Sequence, residues 1–176
     1  PLTTQFNHKN QKIRIGYISQ NFGVHAMMFL APALFRYFDR EKFEVFSYSL
    51  MYENNKSPQQ DLVKEFSTKF FNVENFDSHK IAKLILSHKI DILVDLSGYQ
   101  KNCRPEVFAY KPAPLIINYL RNPGTMGSDV HDYFICDTNA LPEQNKKYFS
   151  EKIIYLPHTY FPYDDQVVVS NKNISK

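Results

Sequence analysis

The chain has 176 residues, a formal net charge of +3, 43% apolar and 22% charged residues, the balance of one folded domain with a core of its own. The small basic excess is scattered, its longest run being Lys146-Lys147, which argues against a nucleic-acid surface. The longest apolar run, Met27 to Phe35, is interrupted by Pro32 and is too short to span a bilayer.

Residues 1–11 are polar, carry no signal-peptide pattern and read as a tail or linker, and the absence of an initiator Met suggests a piece of something longer. Ile13, Ile15, Tyr17 and Ile18 predict a first strand, left through the turn-rich Ser19-Gln20-Asn21-Phe22-Gly23. Met27, Leu30, Leu34 and Phe38 recur at helical spacing and predict one helix over 26–38. Phe43 to Tyr48 predicts the second strand, and Pro58 opens a helix running to about Thr68. A short strand is expected over 69–73. Asp77 or Ser78 then caps a helix to about His88, with Ile81, Leu84 and Ile85 on one face. Ile90 to Leu96 is the clearest strand pattern of all. A short helix near Pro105 to Ala109 follows, then strands at 115–119, 133–136 and 153–156. After Val169 the apolar pattern is lost, so 167–176 reads as a tail or a linker.

Strands alternating with helices predict an α/β domain, a doubly wound, mostly parallel sheet covered on both faces. Ligands bind such sheets beyond the carboxyl ends of the strands. The loops there hold the chemistry. His25 follows Gly23 at an expected helix start, where an imidazole can cap the helix or serve a hydroxyl, and where free N–H groups can meet an anion. Ser97-Gly98-Tyr99-Gln100-Lys101-Asn102 offers a hydroxyl, a phenol, an amide and an ammonium, and Pro123-Gly124-Thr125-Met126-Gly127 is a strong turn. The chain has no phosphate-binding Walker loop, no G-x-G-x-x-G after the first strand and no G-x-S-x-G elbow. Its histidines form no H-x-x-x-H pair. Asp91 and Asp95, like Asp132 and Asp137, flank strands in a structural manner. Cys103 and Cys136 fit neither a metal spacing nor a disulfide framework, which favours a reducing compartment.

Taken together, Ile13-Arg14-Ile15-Gly16-Tyr17-Ile18-Ser19 with Phe22-Gly23-Val24-His25, Lys42 to Tyr48, Ile90 to Tyr99, Lys111-Pro112-Ala113-Pro114-Leu115-Ile116, Pro123 to Gly127, Asp132-Tyr133 and Ser150-Glu151-Lys152 through His158-Thr159 resemble, in order, the catalytic region of the O-GlcNAc transferase and SPINDLY family, glycosyltransferase family 41. The resemblance covers about residues 12–164. It implies a GT-B glycosyltransferase: two Rossmann-like lobes that transfer a sugar with inversion from a nucleotide donor, UDP-GlcNAc above all, to Ser or Thr of proteins. The chain is then the N-terminal lobe, residues 12–166. The C-terminal lobe and the family's upstream TPR repeats lie outside it, so the lobe alone is expected to be inactive. The implied partners are the nucleotide sugar and an acceptor protein or peptide, with no nucleic acid and no membrane. No metal or other cofactor is implied, and the location is cytoplasmic.

By position, His25 matches the family histidine at the sugar and acceptor, and is the catalytic candidate. Tyr99 and Lys101 fall in the family's second signature loop. Pro123, Gly124 and Thr125 match the turn that lines the sugar pocket, and His158 is structural. The family pattern has Gly where this chain has Arg121, which crowds the cleft or supplies a cation to a phosphate. Met27 and Met28 replace small or hydroxyl residues and would make that wall of the site apolar. These departures leave two alternatives open: a non-catalytic lobe kept for protein binding, or the same fold with GDP-fucose or UDP-glucose as donor.

Overall fold

The computed structural model describes residues 12–52, 57–120, 123–164 and 166. Runs rich in β-branched and aromatic residues form β1 (Ile13–Ser19), β2 (Phe43–Ser49), β3 (Lys69–Asn72), β4 (Ile92–Asp95), β5 (Leu115–Tyr119), β6 (Tyr133–Cys136) and β7 (Lys152–Tyr155). All pair in parallel, in the order β3-β2-β1-β4-β5-β6-β7. The expected mostly parallel sheet is therefore wholly parallel among the described residues. The β4 ladder is shorter than the apolar run 90–96, yet the run stays bonded to β1 at both ends, through Asp91 N to the Arg14 carbonyl and Leu96 N to the Ile18 carbonyl.

Side chains alternate across the sheet, so each strand feeds two cores. On one face Tyr17, Val45, Val94 and Ile117 pack with Phe35 and Val63 from the helices that follow β1 and β2. On the other, Ile18, Phe46, Leu93 and Ile116 pack with Ile81, Ile85, Val107 and Phe108. Burying each such Phe or Ile contributes about 1.5–3 kcal/mol.

The helices are α1 (Ala26–Leu30), α2 (Pro32–Arg36), α3 (Pro58–Phe66), α4 (Ser78–Ser87) and α5 (Pro105–Ala109). The single helix expected over 26–38 is thus two short ones. Pro32 has no N–H and disfavours helical geometry in the residue before it, so Ala31 both closes α1 and opens α2. Ser57 and Asp77 cap α3 and α4 by accepting from the Gln60 and Lys80 amides. A short 3-10 turn, Glu143–Tyr148, was not expected. It buries no residue, so no apolar period announces it.

From β1 the chain steps outward through β2 to β3, then returns to the far side of β1 for β4 and steps outward again. The direction reverses between β1 and β4. Loops leaving those two strands must part to opposite faces, and a crevice opens beyond their carboxyl ends.

Candidate functional site

The two loops at the reversal are laced together by amides. Gln20 Nε2 and Asn21 Nδ2 both donate to Gln100 Oε1, at 3.0 and 3.1 Å. The Gln20 amide also lies 3.4 Å from Ser97 Oγ. Two cavities adjoin here. One of about 380 Å³ is lined by Gly23, Val24, His25 and Ser57, and one of about 640 Å³ by Leu50, Gln100, Lys101, Cys103 and Arg104. Gln20, Asn21 and Met51 line both, so the two cavities adjoin as a recess along the carboxyl edge. Gly23 packs closely against this edge: a Cβ there would come within 2.7 Å of the sulfur at the end of the flexible Met51 side chain.

His25 stands half-buried at the N-cap of α1, where its Nδ1 accepts from the Met27 amide at 3.1 Å. In the neutral ring that bond places the proton on Nε2. The imidazole can therefore donate from Nε2 while the cap holds, and can accept a proton there only if the cap bond is given up. α1 is only one turn long and one of its amides is already taken by His25, so the anion site expected at a long helix start does not form.

Tyr99 is 59% exposed, yet its hydroxyl donates to the Met126 carbonyl at 2.8 Å. The phenol is a strut between the loop after β4 and the loop after β5. The preceding peptide is held as well: the Met126 amide donates to Glu151 Oε1 at 2.6 Å, and Thr125 Oγ1 donates to Glu151 Oε2 at 2.7 Å. Glu151 is buried. The Thr125 hydroxyl is engaged in holding its own turn, and it also accepts from the Gly127 amide at 2.9 Å. Gly124 offers its carbonyl to Asn118 Nδ2 at 3.3 Å, and Pro123 is exposed beside it. Where this loop leaves β5, Leu120 is buried with φ 80°, a left-handed conformation that costs a side-chain-bearing residue on the order of 1–3 kcal/mol.

The structure thus brings His25 and Lys101 to adjoining cavities and ties Tyr99 to the Pro123–Thr125 turn. Lys101 is exposed at the rim. Arg121 lies outside the described residues. Met27 and Met28 are buried in the core and do not wall the recess, a correction with a simple cause: α1 turns that face onto the sheet, and Val24, Ala26 and Phe29 are the exposed ones. Gln20, Asn21 and Met51 were not singled out from the sequence, because nothing local marks a side-chain amide as part of a cross-loop network. Asp95 has a legible signal: in Asp95-Leu96-Ser97-Gly98 the carboxylate stands two residues before a serine and three before a glycine, an Asx-turn spacing, and Asp95 Oδ1 accepts from both the Ser97 and Gly98 amides, at 2.8 and 3.1 Å. Among the described residues no cluster of His, Cys, Asp and Glu has the form of a metal site, and no helix is long and apolar enough to cross a membrane.

Comparison with known proteins bears on this edge. The model of glycosyl transferase family 41 matches residues 2–174. A protein of Arabidopsis thaliana named as a probable UDP-N-acetylglucosamine-peptide N-acetylglucosaminyltransferase, SEC, is 40% identical over 154 residues, covering 88% of this chain and 16% of the relative. The UDP-N-acetylglucosamine-peptide N-acetylglucosaminyltransferase of Caenorhabditis elegans is 34% identical, covering 94% of this chain and 15% of its own length. Among solved structures, a mutant O-GlcNAc transferase of Thermobaculum terrenum superposes with a TM-score of 0.81 at 27% identity, over 86% of this chain and 29% of that one. The chain therefore spans about one-sixth of those curated relatives' length, and under a third of the solved one's.

Proposed function

The chain belongs to glycosyl transferase family 41, and from that membership we propose that it is the amino-terminal lobe of an inverting protein O-glycosyltransferase. The transferred sugar on this reading is N-acetylglucosamine, carried from UDP to a serine or threonine hydroxyl. One observation carries the reading from the structural side: two adjoining cavities at the β1/β4 reversal, one lined by His25 and the other by Lys101. Names printed for the relatives support the donor and the acceptor class.

Inverting transfer is an in-line displacement at the anomeric carbon. The acceptor oxygen attacks, the bond to the diphosphate breaks, and the hydroxyl proton passes to a departing diphosphate oxygen or to water as the new bond forms. The geometry supports His25 as a hydrogen-bond donor through Nε2 to the sugar or the acceptor oxygen, aligning the hydroxyl for attack. A cation at Lys101 would face charge developing on the departing diphosphate. The Tyr99 strut and the Glu151 clamp hold the loops that shape the sugar side of the recess. No metal or other cofactor enters this reading. The two cysteines are free, which fits a reducing cytoplasm. Residues 12–166 form the lobe, and the second lobe supplies the rest of the donor site.

The alternative of a non-catalytic binding module loses one of its two motives, because Met27 and Met28 are core residues. The test is transfer by the complete protein of radiolabelled sugar to a serine-containing peptide, with UDP-GlcNAc, UDP-glucose and GDP-fucose supplied in turn. Labelling from UDP-GlcNAc at the highest kcat/KM is expected. Labelling from another donor alone would change the sugar, and labelling from none would end the transferase reading.

A further inference from the structure

Behind the candidate site lies a titratable pair that the transfer chemistry does not use. Asp95, at the carboxyl end of β4, is 1% exposed, and His131, in the connection leading to β6, is 4% exposed. His131 Nε2 lies 3.3 Å from Asp95 Oδ2, while the other carboxylate oxygen holds the Ser97 and Gly98 amides. The contact is a close approach of charge and dipole without the alignment of a hydrogen bond, and neither ring nitrogen has a hydrogen-bond partner among the described residues. The ring rests on Phe108, centroids 4.9 Å apart.

Packing on Phe108 does not call for an imidazole. An apolar side chain of similar size would fill that space without burying two unmet nitrogens, each of which costs free energy. What the imidazole alone adds is a polar edge beside a carboxylate that is itself out of water, where an unpaired charge is expensive. Asp95 is in turn the anchor of the loop that carries Tyr99 and Lys101. Its register partner on β5 is Asn118, the anchor of Gly124. Two neighbouring buried polar groups thus fasten the loops that leave β4 and β5, and His131 stands behind the first.

We propose that His131 is a positioning residue: by holding the Asp95 carboxylate in place it fixes the Ser97–Lys101 loop in the form that ties Tyr99 to the Met126 carbonyl and presents Lys101 to its cavity. The proposal rests on reading this edge as the transfer site, but its first readout does not need activity. Hydrogen exchange of the Ser97 and Gly98 amides in the complete protein reports the anchor directly. In His131→Leu those amides are expected to exchange at least about tenfold faster, while Leu93 and Val94 in β4 exchange as before. In the same variant KM for the nucleotide sugar is expected to rise about fivefold or more with a smaller change in kcat. Adding Asp95→Asn to His131→Leu is expected to recover both, since an amide keeps the acceptor for the two N–H groups and removes the stranded charge.

Unchanged exchange at Ser97 and Gly98 in His131→Leu would overturn the proposal, as would a lowered thermal midpoint with parent exchange and parent KM, the mark of a brace for the core alone. If His131→Leu does not fold, His131→Gln decides: its carboxamide keeps a polar edge toward Asp95 without the ring and is expected to hold parent protection and KM, whereas their loss would mean that the ring's packing on Phe108 is what matters. A parent protein that fails to transfer sugar but shows these exchange changes would sink the transferase reading and leave the anchor standing.

Discussion

At His25 two duties meet, and a substitution can separate them. The ring caps α1 through Nδ1 and lines the recess. Asn is a good N-cap and can take the Met27 amide, but it places no imidazole toward the recess. His25→Asn in the complete enzyme is therefore expected to keep the parent's melting temperature and to lower kcat at least about tenfold, whereas His25→Ala loses both cap and chemistry. Parent turnover in His25→Asn would remove the imidazole from the reaction. His88 supplies a pH signature remote from the site. It stacks on Phe71, bonds the Tyr48 hydroxyl and sits near Lys69 and Arg14, so burial first, and those two cations after it, hold its pKa below the usual histidine value. The unfolded chain then takes up a proton that the folded chain resists. The contribution is complete above the unfolded value and is lost as pH falls through it toward the folded one. Melting curves between pH 7.5 and 5.5 should fall more steeply for the parent than for His88→Phe, and parallel curves would contradict the assignment. His25 was legible in the sequence because its loop position announces it. The role of Tyr99 was not: its partner, the Met126 carbonyl, is 27 positions away, and only the folded loops bring them together.

Elements show the same division between local and tertiary causes. Strand positions, the caps at Ser57 and Asp77 and the proline at the start of α5 follow from local chemistry, and they were readable. The break at Ala31 was readable in principle from Pro32, but the period of Met27, Leu30, Leu34 and Phe38 runs straight across it, because both short helices turn the same stripe to the core. Gly16 is a tertiary matter. It lies in mid-strand, where a Cβ would come within 3.1 Å of Ile90 and 3.2 Å of Leu93 and Tyr48. Gly16→Ala is expected to destabilise the fold by about 1–3 kcal/mol through overpacking between β1, β2 and the start of β4. Urea denaturation measures this, and an unchanged midpoint would mean that those side chains give way freely. Ser57→Ala is expected to cost about 1 kcal/mol through loss of the α3 cap. Since Ser57 also lines the His25 cavity, that variant should be read in stability and KM together.

For the whole molecule, the alternation of strands and helices fixed a doubly wound sheet, and the rule for such sheets pointed to the carboxyl edge. The order of strands, and so the place of the reversal, had to come from the structure. That order sets His25 and Lys101 on adjoining cavities. It sets the Thr125 hydroxyl against Glu151. On the proposed reading the acceptor lies at this lobe and most of the nucleotide contacts on a second one. The most direct test is transfer of radiolabelled N-acetylglucosamine from UDP to a peptide by these 176 residues, alone and then with the remaining catalytic region supplied as a separate chain. The account predicts no labelling in the first case and labelling in the second, abolished when the lobe carries His25→Ala. Labelling by the lobe alone at the complete enzyme's rate, or labelling by the mixture that is indifferent to His25, would contradict it.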